Sequence, residues 1–311
     1  MTTSTEDIVR VDGATFWMGS DSHYPEEAPA HRVSVEGFWI DAFPVTNQEF
    51  AAFVEETGYV TVAERPLDPS DFPGAPPANL VPGSLVFTMT AGPVDLRNLN
   101  QWWTWTPGAC WKHPEGRASS TEGLGDHPVV HVAFEDAEAY TAWAGKELPS
   151  EAEWELAARG GLEGRDFVWG DEPEAPGDRL ANYWHGEFPW RPEPGYGARA
   201  PVGSFPANGF GLFDMAGNVW EWTADWYASR HPGDADKPCC VPQNPRGPDA
   251  ETSYDPAQPQ FRIPRKVLKG GSYLCADSYC MRYRPAARRP QMIDTGMSHV
   301  GIRCLRRDRQ P

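Results

Sequence analysis

Reactive side chains are densest in one stretch near the C-terminus, Lys269-Gly-Gly-Ser272-Tyr-Leu-Cys275-Ala-Asp-Ser-Tyr279-Cys280-Met-Arg282-Tyr-Arg284. Two thiols five residues apart, behind a double glycine and ahead of two arginines, admit three readings. They could be buried as small apolar residues, since Cys is among the most buried residue types. They could close a disulfide, or they could act together as thiolates on a soft metal. Without His or further Cys nearby they make a poor tetrahedral zinc site, whereas two soft sulfurs suit two-coordinate Cu(I). Arg282 and Arg284 would lower the thiol pKa values.

Hard-cation chemistry has two candidate loops. Asp214-Met-Ala-Gly217-Asn-Val219-Trp-Glu221 carries a carboxylate at each end, so side-chain oxygens and two backbone carbonyls could surround Ca2+. The same turn could equally be a solvated one. A second oxygen-rich loop starts at Asn182-Tyr183-Trp-His-Gly-Glu187 and contains Glu193 and Tyr196. The eight histidines form no metal cluster, and His127 and His131 read as structural. There is no His-Glu-x-x-His zinc motif, no glycine-rich phosphate loop and no Gly-x-Ser-x-Gly elbow. Cys239-Cys240 would close a strained ring if oxidised, so free thiols or separate partners are expected there.

The elements that must position these residues are short. Strands are expected at Ile8-Val-Arg-Val, at Ala14-Thr-Phe-Trp-Met and along Arg32-Val-Ser-Val-Glu-Gly-Phe-Trp-Ile40, with a polar loop at Tyr24-Pro-Glu-Glu-Ala-Pro. The pair Thr46 and Glu49 forms a capping box for a helix with Phe50, Phe53 and Val54 on one face, stopped by Gly58. A second helix is predicted over about 135–144, with Tyr140 and Trp143 inward. A third starts at Ser150-Glu-Ala-Glu153 and runs through Trp154 to Gly160-Gly161. Trp102, Trp103, Trp105 and Trp111 cluster in a proline-rich stretch and read as packing, with a groove wall as the alternative.

With 14 Trp, 30 Gly and 32 Pro and no fixed-period repeat, the chain reads as one irregular α+β domain over 1–311 with little helix. A formal charge of -17 argues against nucleic acid and anionic membrane as partners and favours a basic or arginine-containing peptide. Neither a signal peptide nor a membrane span is expected, so the predicted location is cytoplasmic. In that reducing compartment the six cysteines would be thiols, metal ligands or redox centres.

Several motifs recur in a characteristic order: Pro44-Val-Thr-Asn47, Leu148-Pro-Ser-Glu-Ala-Glu-Trp154-Glu, Gly217-Asn-Val-Trp-Glu-Trp-Thr-Ala-Asp-Trp226, Lys269-Gly-Gly-Ser-Tyr, Arg284-Pro-Ala-Ala-Arg288 and Gly301-Ile-Arg-Cys304. With Ser272, Cys275, Tyr279, Cys280 and Arg282 between them, the chain resembles the formylglycine-generating enzyme family, also called sulfatase-modifying factors. The resemblance implies an irregular, low-secondary-structure variant of the C-type lectin-like fold with bound Ca2+. It also implies O2-dependent oxidation of a cysteine, within a Cys-x-Pro-x-Arg segment of an unfolded sulfatase, to Cα-formylglycine. On this analogy Cys275 and Cys280 hold Cu(I), Trp154 borders the metal, Ser272 and Tyr279 line the oxygen and substrate pocket, and Arg282 supports the site electrostatically. Asp214, Gly217, Val219 and Glu221 match one calcium site, and Asn182, Tyr183 and Tyr196 a second, where Pro194 replaces a usual Asp. The structural disulfides of eukaryotic secretory relatives cannot form, because Thr141 faces Cys304 and Ala158 faces Pro285. His299 stands where those relatives have Asn. A monomer is expected. The alternatives are a non-catalytic lectin-like scaffold for peptide or sugar, and the iron-dependent sulfoxide synthase of the same superfamily.

Overall fold

The computed structural model describes residues 8–70, 74, 76–77, 80–175, 177–231 and 241–308; Cys239 and Cys240 fall outside them. Its three α-helices begin and end on local signals. In α1 (Asn47–Thr57) the Thr46 hydroxyl accepts from Glu49 N–H, the Glu49 carboxylate accepts from Thr46 N–H at 2.8 Å, and Gly58 stops the helix at φ 67°. In α2 (Phe134–Trp143) the Asp136 carboxylate accepts from Ala133 N–H, and Tyr140 is buried while Trp143 is only partly so. The third, α3 (Glu151–Arg159), has the Ser150–Glu153 capping box and ends at Gly160, with φ 56°.

Strands are short and distributed over five small sheets among the described residues. A three-stranded antiparallel sheet joins β1 (Ile8–Val11), β4 (Phe38–Asp41) and β13 (Leu305–Arg307), with β4 central, so the two ends of the chain share one strand. Separate antiparallel pairs are β2 (Ala14–Met18) with β3 (His31–Val35), β5 (Gly83–Phe87) with β6 (Trp103–Pro107), and β7 (Gly186–Glu187) with β8 (Arg191–Pro192). The run 32–40, expected as one strand, is instead two strands in two sheets, broken at Glu36-Gly37. A Cβ on Gly37 would lie 2.4 Å from the Arg10 guanidinium, so glycine lets the chain cross that side chain as it changes sheet.

The four-stranded sheet positions the site. Its order is β11 (Arg289–Met292), β10 (Arg265–Lys269), β9 (Trp220–Trp226), β12 (Val300–Gly301), with β12 parallel to β9 and the other pairs antiparallel. Strand alternation gives β9 two different faces. Trp220 and Trp222 enter the main apolar core with Val132, Leu268 and Cys275, and Trp222 Nε1 donates to Val132 O at 2.9 Å. Glu221, Thr223 and Asp225 point the other way and are equally buried.

That polar face is filled with paired charges. Arg303 donates to both Glu221 oxygens at 2.9–3.1 Å, and neither side chain is exposed. Every residue of α3 is buried, including Glu151, Glu153 and Glu155. Lys269 and Arg159 meet Glu155 at 3.1 and 2.7 Å, Arg288 meets Glu151 at 2.7 Å, and Arg307 meets Glu153 at 2.8 Å. Removing one member of a buried pair strands the other charge and costs about 3–5 kcal/mol. Arg303→Met should therefore lower the unfolding free energy by about that amount, read as a lower urea midpoint with the slope unchanged, whereas Arg97→Ala, which opens a surface pair with Asp95, should leave the midpoint where it is.

Candidate active site

The thiol loop leaves β10 through Gly270 and Gly271, at φ 91° and 72°. A Cβ on Gly270 would sit 3.0 Å from the Trp154 ring, and one on Gly271 would sit 2.8 Å from Arg282 O, so the loop folds back on itself at a separation only glycine permits. Both ends are anchored by buried ions: Lys269 to Glu155 at the entrance, and Arg284 to both oxygens of Glu27 at 2.5 and 2.9 Å at the exit. Between them Cys275 N–H donates to Ser272 O, Cys280 N–H to Ala276 O, and Cys275 O accepts from Trp184 N–H at 2.6 Å.

This path brings Cys275 Sγ and Cys280 Sγ to 3.5 Å, and both thiols are free. A disulfide would need about 2.05 Å. Cys275 belongs to the apolar core, while Cys280 is half-buried. Both open on a cavity of about 230 Å3, together with Ser272, Tyr279, Arg282 and His299. Its walls are aromatic: Trp102, Trp103, Phe188 and Trp220. Tyr279 stacks on Phe188 with ring centroids 4.9 Å apart and meets Trp102 edge-on at 5.8 Å. Ser272 Oγ lies 3.2 Å from His299 Nδ1.

The two thiols are electrostatically unequal. The hydrogen bond from Cys275, with Arg282 Nη1 at 3.9 Å, holds the Cys280 thiol down at about 6 against the opposing effect of burial. Burial and the adjacent Cys280 push Cys275 well up. The two shifts run in opposite directions, so Cys280 is the thiol that loses its proton more readily. Arg282 cannot drift away: Glu26 takes its guanidinium at 2.5 and 3.1 Å, and the Tyr24 ring lies 3.8 Å from it. Tyr24 OH in turn accepts from Met281 N–H at 3.0 Å. Among the described residues no third His, Cys or acid is placed to join the two sulfurs on a metal, and two sulfurs alone make a donor set that fits a soft, low-coordinate cation.

Trp154 is fully buried among the β2, β3 and α3 side chains, donates from Nε1 to Glu221 Oε2 at 2.6 Å, and lies beneath Gly270 rather than among the residues that line the thiol cavity. The indole beside the sulfurs is Trp220, from the Asn-Val-Trp-Glu-Trp motif. The tryptophan cluster also divides: Trp102 and Trp103 are cavity wall, whereas Trp111 is core under α1. Tyr24 and Glu26 carried no local sequence signal, being about 256 residues from the arginine they hold.

The two oxygen-rich loops lie against each other. Asn218 N–H donates to Asn182 O at 2.7 Å, and Asn182 Nδ2 donates to Asn218 Oδ1 and Ala198 O. Asp214 accepts from Gly203 N–H and Asn218 Nδ2. Glu221, with Arg303 and Trp154 around its carboxylate, does not present a free acid beside Asp214, Gly217 and Val219, so that set does not fit a hard cation as arranged. Asn182 differs: its Oδ1 is buried and has no hydrogen-bond partner among the described residues. It is a buried neutral oxygen of the kind a hard cation accepts. Among the described residues no group of three or more His, Cys, Asp or Glu side chains is placed to hold a metal.

One labelling experiment reads the thiol pair directly. Iodoacetamide at pH 7 should modify Cys280 first, its rate should fall as pH drops through about 6, and Arg282→Ala should shift that transition upward.

Comparison with known proteins adds the family context. Residues 1–308 match the model of the sulfatase-modifying factor enzyme 1-like domain. The chain is 52% identical over 302 residues to a formylglycine-generating enzyme of Mycobacterium tuberculosis, covering 96% of this chain and 97% of the relative. It is 41% identical over 302 residues to that of Bos taurus, covering 96% of this chain and 74% of the relative. Among solved structures, PvdO from Pseudomonas aeruginosa superposes with a TM-score of 0.61 at 23% identity, covering 96% of this chain and 93% of that one, a likeness of fold.

Proposed function

The chain belongs to the sulfatase-modifying factor enzyme 1-like family, and we propose that it converts a cysteine within a Cys-x-Pro-x-Arg segment of an unfolded sulfatase to Cα-formylglycine, the sulfur leaving as hydrogen sulfide, with Cu(I) held by Cys275 and Cys280 and with O2 reduced to water by two electrons from the cysteine and two from an external thiol reductant. The observation that carries this reading is the pair of free sulfurs 3.5 Å apart, both lining one cavity. Copper, when bound, supplies the one-electron and O2 chemistry that side chains lack.

The chain's own residues do the rest. Cys280, the less buried thiol, faces the incoming peptide, and the substrate sulfur approaches beside it. Arg282 offsets the negative charge that gathers as thiolates accumulate, and Glu26 keeps it in range. The rings of Trp102, Phe188, Tyr279 and Trp220 keep water from the sulfurs. The net charge of -17 draws the basic residue of the segment toward the molecule. Ca2+ serves as a structural ion at Asn182, Tyr183 and Tyr196, tying down the loop that supplies Trp184 and Phe188. The protein acts as a cytoplasmic monomer.

Incubation with Cu(I), O2, a thiol reductant and a Cys-x-Pro-x-Arg peptide should yield the aldehyde by mass spectrometry. The variant carrying Cys275→Ala and Cys280→Ala should yield none, and full turnover by it would overturn the reading. One equivalent of Cu(I) should protect both thiols of the wild-type pair from titration. Separately, adding Ca2+ should raise the melting temperature of the wild type, and Asn182→Ala should abolish that rise.

A further inference from the structure

The closed end of the thiol cavity holds a hydrogen-bonding group with nothing in the chain to bond. His299 is 3% exposed and packs edge-on against Trp103 with ring centroids 4.7 Å apart. Its Nδ1 faces Ser272 Oγ at 3.2 Å, while its Nε2 is buried without a hydrogen-bond partner among the described residues. Buried polar atoms left unpaired are rare in native proteins, and each asks for an occupant.

Ser272 decides which nitrogen carries the proton. Its Oγ already accepts from Leu274 N–H at 3.3 Å. A proton on Nδ1 would be donated to that same oxygen, leaving both the Ser272 hydroxyl hydrogen and the Nε2 lone pair unmatched. A proton on Nε2 lets Ser272 donate to Nδ1 and leaves one group unmatched, the Nε2–H itself. Burial, reinforced by Arg289, pushes the imidazole well below its ordinary pKa, so the ring is neutral.

We propose that the His299 Nε2–H is the hydrogen-bond donor that holds dioxygen at the closed end of this cavity, a role that rests on the oxidase reading above. The gradient of burial separates the two substrates. Leu99, Cys280 and Arg282 form the accessible rim by which a peptide enters, whereas Ser272, Cys275, Trp220 and His299 form a deep end that is almost fully enclosed. That end suits a small ligand rather than a polypeptide backbone. Its walls, Trp103 and Trp220, favour an apolar diatomic. As dioxygen takes up electrons its oxygen atoms become stronger acceptors, so the hydrogen bond from His299 strengthens as the reaction proceeds.

Two measurements test this. In the metal-free protein, 15N-resolved NMR of His299 should show the Nε2–H tautomer, unchanged from about pH 6 to 9, and Ser272→Ala should release it into a mixture; an Nδ1–H or protonated ring would overturn the proposal. In turnover, His299→Leu should raise KM for O2 about tenfold or more with KM for the peptide within about twofold, and His299→Asn, which keeps an N–H donor, should recover most of the loss. Equal changes in both KM values, or none, would overturn the donor role while leaving the oxidase reading intact. A wild-type protein that forms no aldehyde would instead sink the oxidase reading, and the proposal with it.

Discussion

Four buried cations set the geometry of this molecule. Lys269, Arg284, Arg288 and Arg303 lie within the last fifth of the chain, all nearly or fully buried, and each meets an acid supplied by a distant segment: Glu155, Glu27, Glu151 and Glu221. A charge taken out of water tolerates few positions, because only a well-placed counter-charge offsets its desolvation. The thiol loop is strung between the first two of these anchors. It has little regular secondary structure of its own, so the ion pairs do for it what a ladder of backbone hydrogen bonds does for a strand.

On that frame a second, more exposed layer of charge controls reactivity. Arg282 lies two residues before the buried Arg284 yet remains partly accessible, and Glu26 and Tyr24 hold it against Cys280. One turn of the N-terminal region thus fixes both a structural arginine, through Glu27, and a functional one, through Glu26. The asymmetry of the two thiols follows from where the loop enters the core. Cys275 is packed among apolar side chains, and Cys280 sits where the cavity opens.

Local signals were legible in the sequence, and long-range ones were not. The capping boxes at Thr46 and Ser150 and the glycine stops at Gly58 and Gly160 depend on residues three or four apart, and the helices lie where those residues put them. The run 32–40 alternates well enough for one strand, but its two halves pair with different partners, β2 on one side of Glu36-Gly37 and β1 with β13 on the other, which no local pattern records. The same limit explains Trp154 and Trp220. Both sit in family-like motifs, and only the way α3 packs beneath Gly270 decides which indole faces the sulfurs. Glu221 reads as a free acid until Arg303, 82 residues later, is seen to occupy it. The paired thiols were visible as a motif; the clamp of Glu26 on Arg282 was not, because the two are 256 residues apart.

The sharing of β4 by β1 and β13, together with the contacts from residues 24–27 to 282–284, bears on how the protein is made. Contacts this far apart in sequence close late, because the entropy of the intervening chain must be surrendered first. During synthesis, Glu26 and Glu27 emerge early and wait for almost the whole remainder of the chain before their arginines appear. The N-terminal half of the clamp thus waits unpaired through most of synthesis, and the cavity is assembled only after residues 282–284 have been made and have met Glu26 and Glu27.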